Sequence, residues 1–154
     1  MAQQQQQPQQ QRRRRRRQEQ KQQKHQQEPV AYGPDPVSGD RVLVLKREWL
    51  DMILIGDKSL EIRGAQLRQG DCWLGCRGVV YGKACIGPAL RIWTKQEWAA
   101  LRPEHRVLGP DLPYKRTWGL PLQDVSRLRC EAPYQRRRDA VDIAKFRPSC
   151  TPLA

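Results

Sequence analysis

The alternation of apolar and polar positions divides the chain into short elements. Val42 to Leu45 is a brief apolar run with β-branched residues, which predicts a buried strand. Arg47 to Gly56 changes period. Trp49, Leu50, Ile53 and Leu54 fall on one helical stripe, and Gly56 is placed to end that helix in a left-handed turn. Lys58 to Arg63 alternates, with Leu60 and Ile62 on one face and Ser59, Glu61 and Arg63 on the other, the pattern of a half-buried strand. Gly70-Asp71 marks a turn. Cys72 to Cys76 and Val79 to Ile86 read as strands split by Arg77-Gly78, and Leu90 to Trp93 continues the extended pattern. Lys95 to Leu101 reads as a short helix, with Thr94 as N-cap and Glu97 completing a capping box. Arg102 to Pro113 reads as a Pro/Gly-rich loop. Arg116 to Leu122, Arg127 to Cys130 and Val141 to Phe146 are further strand candidates. Short strands with two small helices at their margins predict an α+β fold built on a small barrel or rolled sheet.

Composition changes this picture at the N-terminus. Residues 1–28 are almost entirely Gln, Arg and Lys, and such a segment buries too little apolar surface to offset its chain entropy. Residues 1–40 are therefore expected to be a disordered Gln/Arg-rich tail and linker. Residues 41–147 form the expected folded domain, and 148–154 a frayed C-terminus. The net charge is +13, of which +6 sits in residues 1–28 and +7 in the remainder. A basic tail on a basic domain points to a polyanionic partner. Six consecutive arginines, Arg12, Arg13, Arg14, Arg15, Arg16 and Arg17, suit phosphate contacts that read no sequence, or nuclear import. Arg136, Arg137 and Arg138 form a second, shorter cluster before the last strand candidate.

Five cysteines, an odd number without the spacing of a disulfide framework, suggest reduced thiols and a nuclear or cytoplasmic location. No apolar h-region of a signal peptide and no spanning segment is evident, so no membrane partner is expected. Cys72 and Cys76 share a strand face, and Cys85 could approach from a neighbour, but zinc needs a fourth ligand at short spacing. His25 is in the tail and His105 is isolated, so buried structural cysteines, no metal and no cofactor are expected. Motifs of nucleophilic catalysis, metalloprotease chemistry and phosphate-binding loops are absent from the sequence.

The run Lys46-x-x-Trp49-x-x-x-Ile53-x-x-Gly56-x-Lys58-x-x-Glu61-x-Arg63 resembles the N-terminal signature of the ASCH family, a branch of the PUA-like superfamily. The second half agrees in order and spacing: Gly70-Asp71 before a strand, then Val-Val-Tyr-Gly-Lys-Ala, Thr117-Trp118-Gly119-Leu120, Asp124-Val125 and Pro133-Tyr134. The resemblance spans Val42 to Phe146. It implies a PUA-like β-barrel with a cleft beside the first helix, and a role in RNA binding or RNA-linked regulation. Some members of the family hydrolyse modified nucleosides such as N4-acetylcytidine, and these resemble the chain at the cleft lysine, here Lys58, the catalytic candidate if the chain is a hydrolase. They usually carry a hydroxyl residue three positions later, where this chain has Glu61; Ser59 lies one position after Lys58 and heads differently. Glu97 and Glu104 are candidates for a downstream acid by position only.

These readings assemble into one expected site. Lys58, Glu61 and Arg63 offer a point charge, an acceptor for an exocyclic amine, and a guanidinium able to stack or to fork onto phosphate. Periodicity alone favours a Glu61–Arg63 ion pair on a solvated strand face, and the family resemblance reverses that order. Tyr114-Lys115-Arg116-Thr117-Trp118 interleaves aromatics with cations, as base stacking beside backbone contacts requires, although Trp118 could also pack in the barrel wall. Trp49, Trp93 and Trp98 read as packing residues. The expectation is a monomer that binds RNA or another single-stranded nucleic acid through Lys58, Glu61, Arg63, Lys115, Arg116, Trp118 and the two arginine clusters. The alternatives are a nucleoside hydrolase and a protein-interaction adaptor.

Overall fold

A computed structural model describes residues 35–136 and 142–149. The tail, Arg137, Arg138 and Cys150 lie outside the described residues. Among those described, seven strands and three short helices follow one another as β1 (Arg41–Val44), α1 (Arg47–Leu54), β2 (Leu60–Arg63), β3 (Gly70–Cys76), β4 (Val79–Ile86), β5 (Leu90–Ile92), α2 (Lys95–Ala100), α3 (Arg102–His105), β6 (Thr117–Pro133) and β7 (Ile143–Lys145). The strands form a curled mixed sheet in the order β2-β6-β4-β3-β1-β7, with β5 pairing to β6, which makes a half-barrel. The β1–β3 pair is parallel, and the other pairs are antiparallel.

The apolar pattern explains the layers. Leu50 and Ile53 of α1 pack with Leu43, Leu74, Ile86 and Leu120 in the main core. Gly56 ends the helix region at φ 85°, a conformation that costs glycine little. A Cβ on Gly82 of β4 would stand 2.5 Å from the Ser126 carbonyl oxygen and 2.8 Å from Leu54 Cδ2, so only glycine lets β6 and α1 approach there. A second cluster joins Val42, Trp73, Val80, Tyr134 and Phe146. A third sets Leu60 and Ile62 of β2 against Ile92 and Trp98.

Three stretches differ from the sequence reading. The strand candidates Arg116–Leu122 and Arg127–Cys130 merge into one strand, β6, which begins at Thr117. The chain bends at Asp124 in a left-handed conformation (φ 51°), and the β4–β6 register shifts nearby while the ladder continues. Part of the expected loop is α3, because Pro103 near the helix start needs no N–H there. The expected linker and frayed end are partly stitched to the sheet. Gly39 N donates to Phe146 O at 2.9 Å, and Pro148 bridges to Tyr134.

Candidate nucleic-acid interface

Strand β2 carries Glu61 and Arg63, with Lys58 two residues before it, and both faces of the strand are buried. Leu60 and Ile62 face the Trp98 cluster. Lys58, Glu61 and Arg63 are buried too, which corrects the expectation of a solvated polar face. The physical reason is that the charges neutralise one another. Lys58 Nζ donates to His105 O at 2.6 Å and Leu60 O at 2.8 Å, and pairs with Glu61 Oε2 at 3.3 Å. An ammonium has three protons, and each has an acceptor here. Burial pushes the Lys58 pKa down, and Glu61 opposes that shift. The other Glu61 oxygen accepts from Arg63 Nε at 3.1 Å. Arg63 then donates from Nη1 to Asp142 Oδ1 at 2.7 Å and from Nη2 to Val44 O at 2.6 Å. The network contains two cations and two carboxylates. It ties β2 to the end of β1, to the segment before β7, and to the C-terminal turn of α3.

His105 completes the anchor. Its Nδ1 accepts from Val107 N at 2.9 Å, so Nε2 carries the proton that reaches Trp98 O at 2.9 Å. The imidazole stacks on Trp98 with ring centroids 3.9 Å apart. Burial lowers its pKa. The sequence left His105 isolated in a loop; the fold makes its carbonyl the closest acceptor of Lys58.

The register then extends the site sideways. Arg63 pairs with Trp118 across β2–β6, and Trp118 pairs with Arg91 across β5–β6. Directly opposed residues on neighbouring strands share a face, so Arg63, Trp118 and Arg91 form one row. The row passes from the buried network to a half-buried indole and on to a partly exposed guanidinium. Arg91 Cζ lies 5.4 Å from the Trp118 ring and 4.5 Å from the Trp93 ring. Trp93 is 70% exposed, which corrects its reading as a packing residue; Trp98 is fully buried.

Lys115 and Arg116 are exposed just before β6, whose Thr117 pairs with Ile92, the neighbour of Trp93. Arg136 lies at the far end of β6, so the structure does not join it to this corner. Sequence reasoning missed Arg91 and Trp93. Their signal was an Arg-x-Trp pair at strand spacing immediately before a helix cap.

Other groups resolve into structural roles. Glu97 accepts from the backbone N–H groups of Trp93 at 2.8 Å and Thr94 at 3.0 Å, which holds its carboxyl below the usual range and occupies it as a cap. Glu104 is exposed on α3. Cys72, Cys76, Cys85 and Cys130 are free, and burial pushes the Cys72 thiol up to about 12, far from a reactive thiolate. Among the described residues no cluster of three His, Cys, Asp or Glu is arranged to hold a metal, and no helix is long and apolar enough to cross a membrane. A cavity of about 300 Å³ opens beside Asp40, Arg41, Asp71, Trp73 and Lys83. Two of its polar pairs are already made, Lys83–Asp71 at 3.1 Å and Trp73–Asp40 at 2.8 Å.

No family model and no curated protein matches the chain. Solved structures do. The ASCH protein of Zymomonas mobilis superposes with a TM-score of 0.56 at 15% identity, covering 70% of this chain and 87% of that one. A serine-to-alanine mutant of the same protein gives 0.56 at 15% identity over 73% and 92% of the two chains. A tyrosine-to-phenylalanine mutant gives 0.55 at 15% identity over 70% and 89%. The chain therefore has the fold of these ASCH structures.

Proposed function

We propose that the protein binds RNA, or another single-stranded nucleic acid, at the corner where β5 and β6 meet. The observation that carries this reading is the Trp118–Arg91 pair of the β5–β6 ladder, in which a half-buried indole lies beside a partly exposed guanidinium on a chain of net charge +13. Indoles stack on bases of any sequence, and neighbouring cations meet the phosphates. Lys115 and Arg116 supply exposed positive charge beside the row. The arginines at 12–17 add a sequence-indifferent electrostatic component. The buried network supports the site from below, with Arg63 linking the two. The hydrolase alternative asks Lys58 for chemistry that its surroundings oppose, since its protons are committed to two carbonyls and a carboxylate.

The test is a titration of the full chain with a short unstructured RNA, the same sequence as DNA, and its duplex, over a range of salt. We expect the single strands to bind, with log affinity falling linearly as log salt rises. Deleting Arg12 to Arg17 should flatten that slope by about 0.7 for each lost phosphate contact on a single strand. Duplex bound as tightly as single strand would contradict a stacking site and leave a general polyanion binder. Release of acetate from N4-acetylcytidine by the wild type would favour the hydrolase.

A further inference from the structure

We propose that Trp93 is a second stacking platform, which takes one unpaired nucleobase on its solvent-facing side while Arg91 backs its other side. The inference rests on the binding reading above and names a residue and a ligand class within it.

Three observations meet at this residue. The first is exposure: an indole left 70% in water forgoes the burial that normally accounts for a tryptophan in a small domain. The second is rigidity. Glu97 of α2 accepts from the Trp93 N–H at 2.8 Å and from the Thr94 N–H at 3.0 Å, while the Thr94 hydroxyl caps the helix through Glu97 N at 3.1 Å. The backbone that carries the exposed ring is therefore fixed by a complete capping box. Little ordering would remain when a ligand lands on the ring.

The third observation is the cation. Arg91 lies within cation–π distance of both Trp93 and Trp118, so the two indoles stand within about 10 Å of each other around one guanidinium. Its Nε is buried without a hydrogen-bond partner among the described residues. The side chain is thus held by its ring contacts rather than by a carboxylate. Arg63, by contrast, is paired with Glu61 and Asp142.

This geometry suits a flat, aromatic and electron-poor face, which a nucleobase offers and a phosphate does not. Two indoles around one cation would accept bases from one strand at separate positions, and a paired duplex presents no such faces.

The experiment uses the full chain, the unstructured RNA and its duplex, with affinity measured across salt concentrations. It compares Trp93→Ala, Trp93→Phe, Arg91→Ala and Arg91→Lys. Trp93→Ala should weaken single-strand binding by about 5- to 150-fold at every salt concentration, with an unchanged salt slope, because a stacking loss releases no fewer counterions. Trp93→Phe should keep most of the affinity. Arg91→Lys should lose affinity nearly as Arg91→Ala does, since an ammonium keeps the charge but not the plane that packs on the ring. The thermal midpoint of Trp93→Ala should match the wild type.

Wild-type affinity in Trp93→Ala would overturn this proposal and leave the binding reading standing on Trp118. A loss with a shallower salt slope, or full rescue by Arg91→Lys, would overturn the stacking role in favour of a phosphate contact. Failure of the wild type to bind single strands would overturn both readings.

Discussion

Strand β2 and the β5–β6 corner use the same residue types in opposite ways. At β2, Arg63 and the preceding Lys58 are surrounded by acceptors, and both oxygens of Glu61 are taken. At the corner, Arg91 leans on two indoles without an ion-pair partner among those described, and Trp93 faces water. Charges that satisfy one another inside a fold position its elements, and their removal is felt as instability. A cation and an aromatic ring left open at the surface add little to stability and are available to a ligand. Residue type therefore does not separate a site from its scaffold; the partners already made do.

The largest expected effect breaks the buried side of this contrast. Glu61→Ala would leave Lys58 and Arg63 as buried cations short of their shared carboxylate. Breaking a buried pair in this way costs about 3–5 kcal/mol. Chemical denaturation should show that loss, and a cost under about 1 kcal/mol would mean that the network is exposed in solution.

A pH scan probes the same anchor. His105 is held neutral, with its folded pKa depressed below the usual value by burial and with Lys58 and Arg102 opposing a further positive charge; Glu104 acts in the other direction. The unfolded chain therefore takes up the proton first. The stabilisation is fully present above the ordinary histidine value of about 6.5 and is lost as pH falls through the lower folded value. His105→Gln should flatten the dependence of stability on pH in that window. An unaltered profile would assign the acid sensitivity to other groups.

A smaller effect tests the helix cap beside the β5–β6 corner. Thr94→Ala removes one half of the capping box and should cost about 0.5–2 kcal/mol of stability. Since Glu97 also holds the Trp93 N–H, Glu97→Ala should weaken single-strand binding as well. Unchanged affinity in a folded Glu97→Ala protein would show that the ring needs no fixed backbone. Smallest of all should be the stability change in Trp93→Ala, within about 0.5 kcal/mol by calorimetry or denaturation, because the ring is mostly in water.

Much of the fold was legible because its elements follow period and capping chemistry. The stripe of α1, the strand Val79–Ile86 and the Thr94–Glu97 capping box all stand where the pattern puts them. What escaped was non-local. Strand β6 continues through Asp124 only because β4 supplies a ladder beside it, and α3 hides behind a proline that ordinarily signals a loop.

The site divides along the same line. The alternation on β2 correctly sets Glu61 and Arg63 opposite Leu60 and Ile62, but a strand covered on both faces reads like a half-exposed one when its second face is lined by paired charges. Neither the carbonyls of Val44 and His105 nor the carboxylate of Asp142 can be tied to β2 without the fold. The sequence marks Trp93 as a packing residue because tryptophans usually are; its exposure depends on how β5 hands over to α2.

The most direct test of the account locates the nucleic acid itself. An unstructured RNA carrying photoreactive thiouridine, cross-linked to the full chain and followed by peptide mapping, should place modified residues between Arg91 and Trp118, with Trp93 and Trp118 foremost. Cross-links confined to the arginines at 12–17 or 136–138 would contradict the account. They would show that the nucleic acid is held by charge alone, away from the β5–β6 corner.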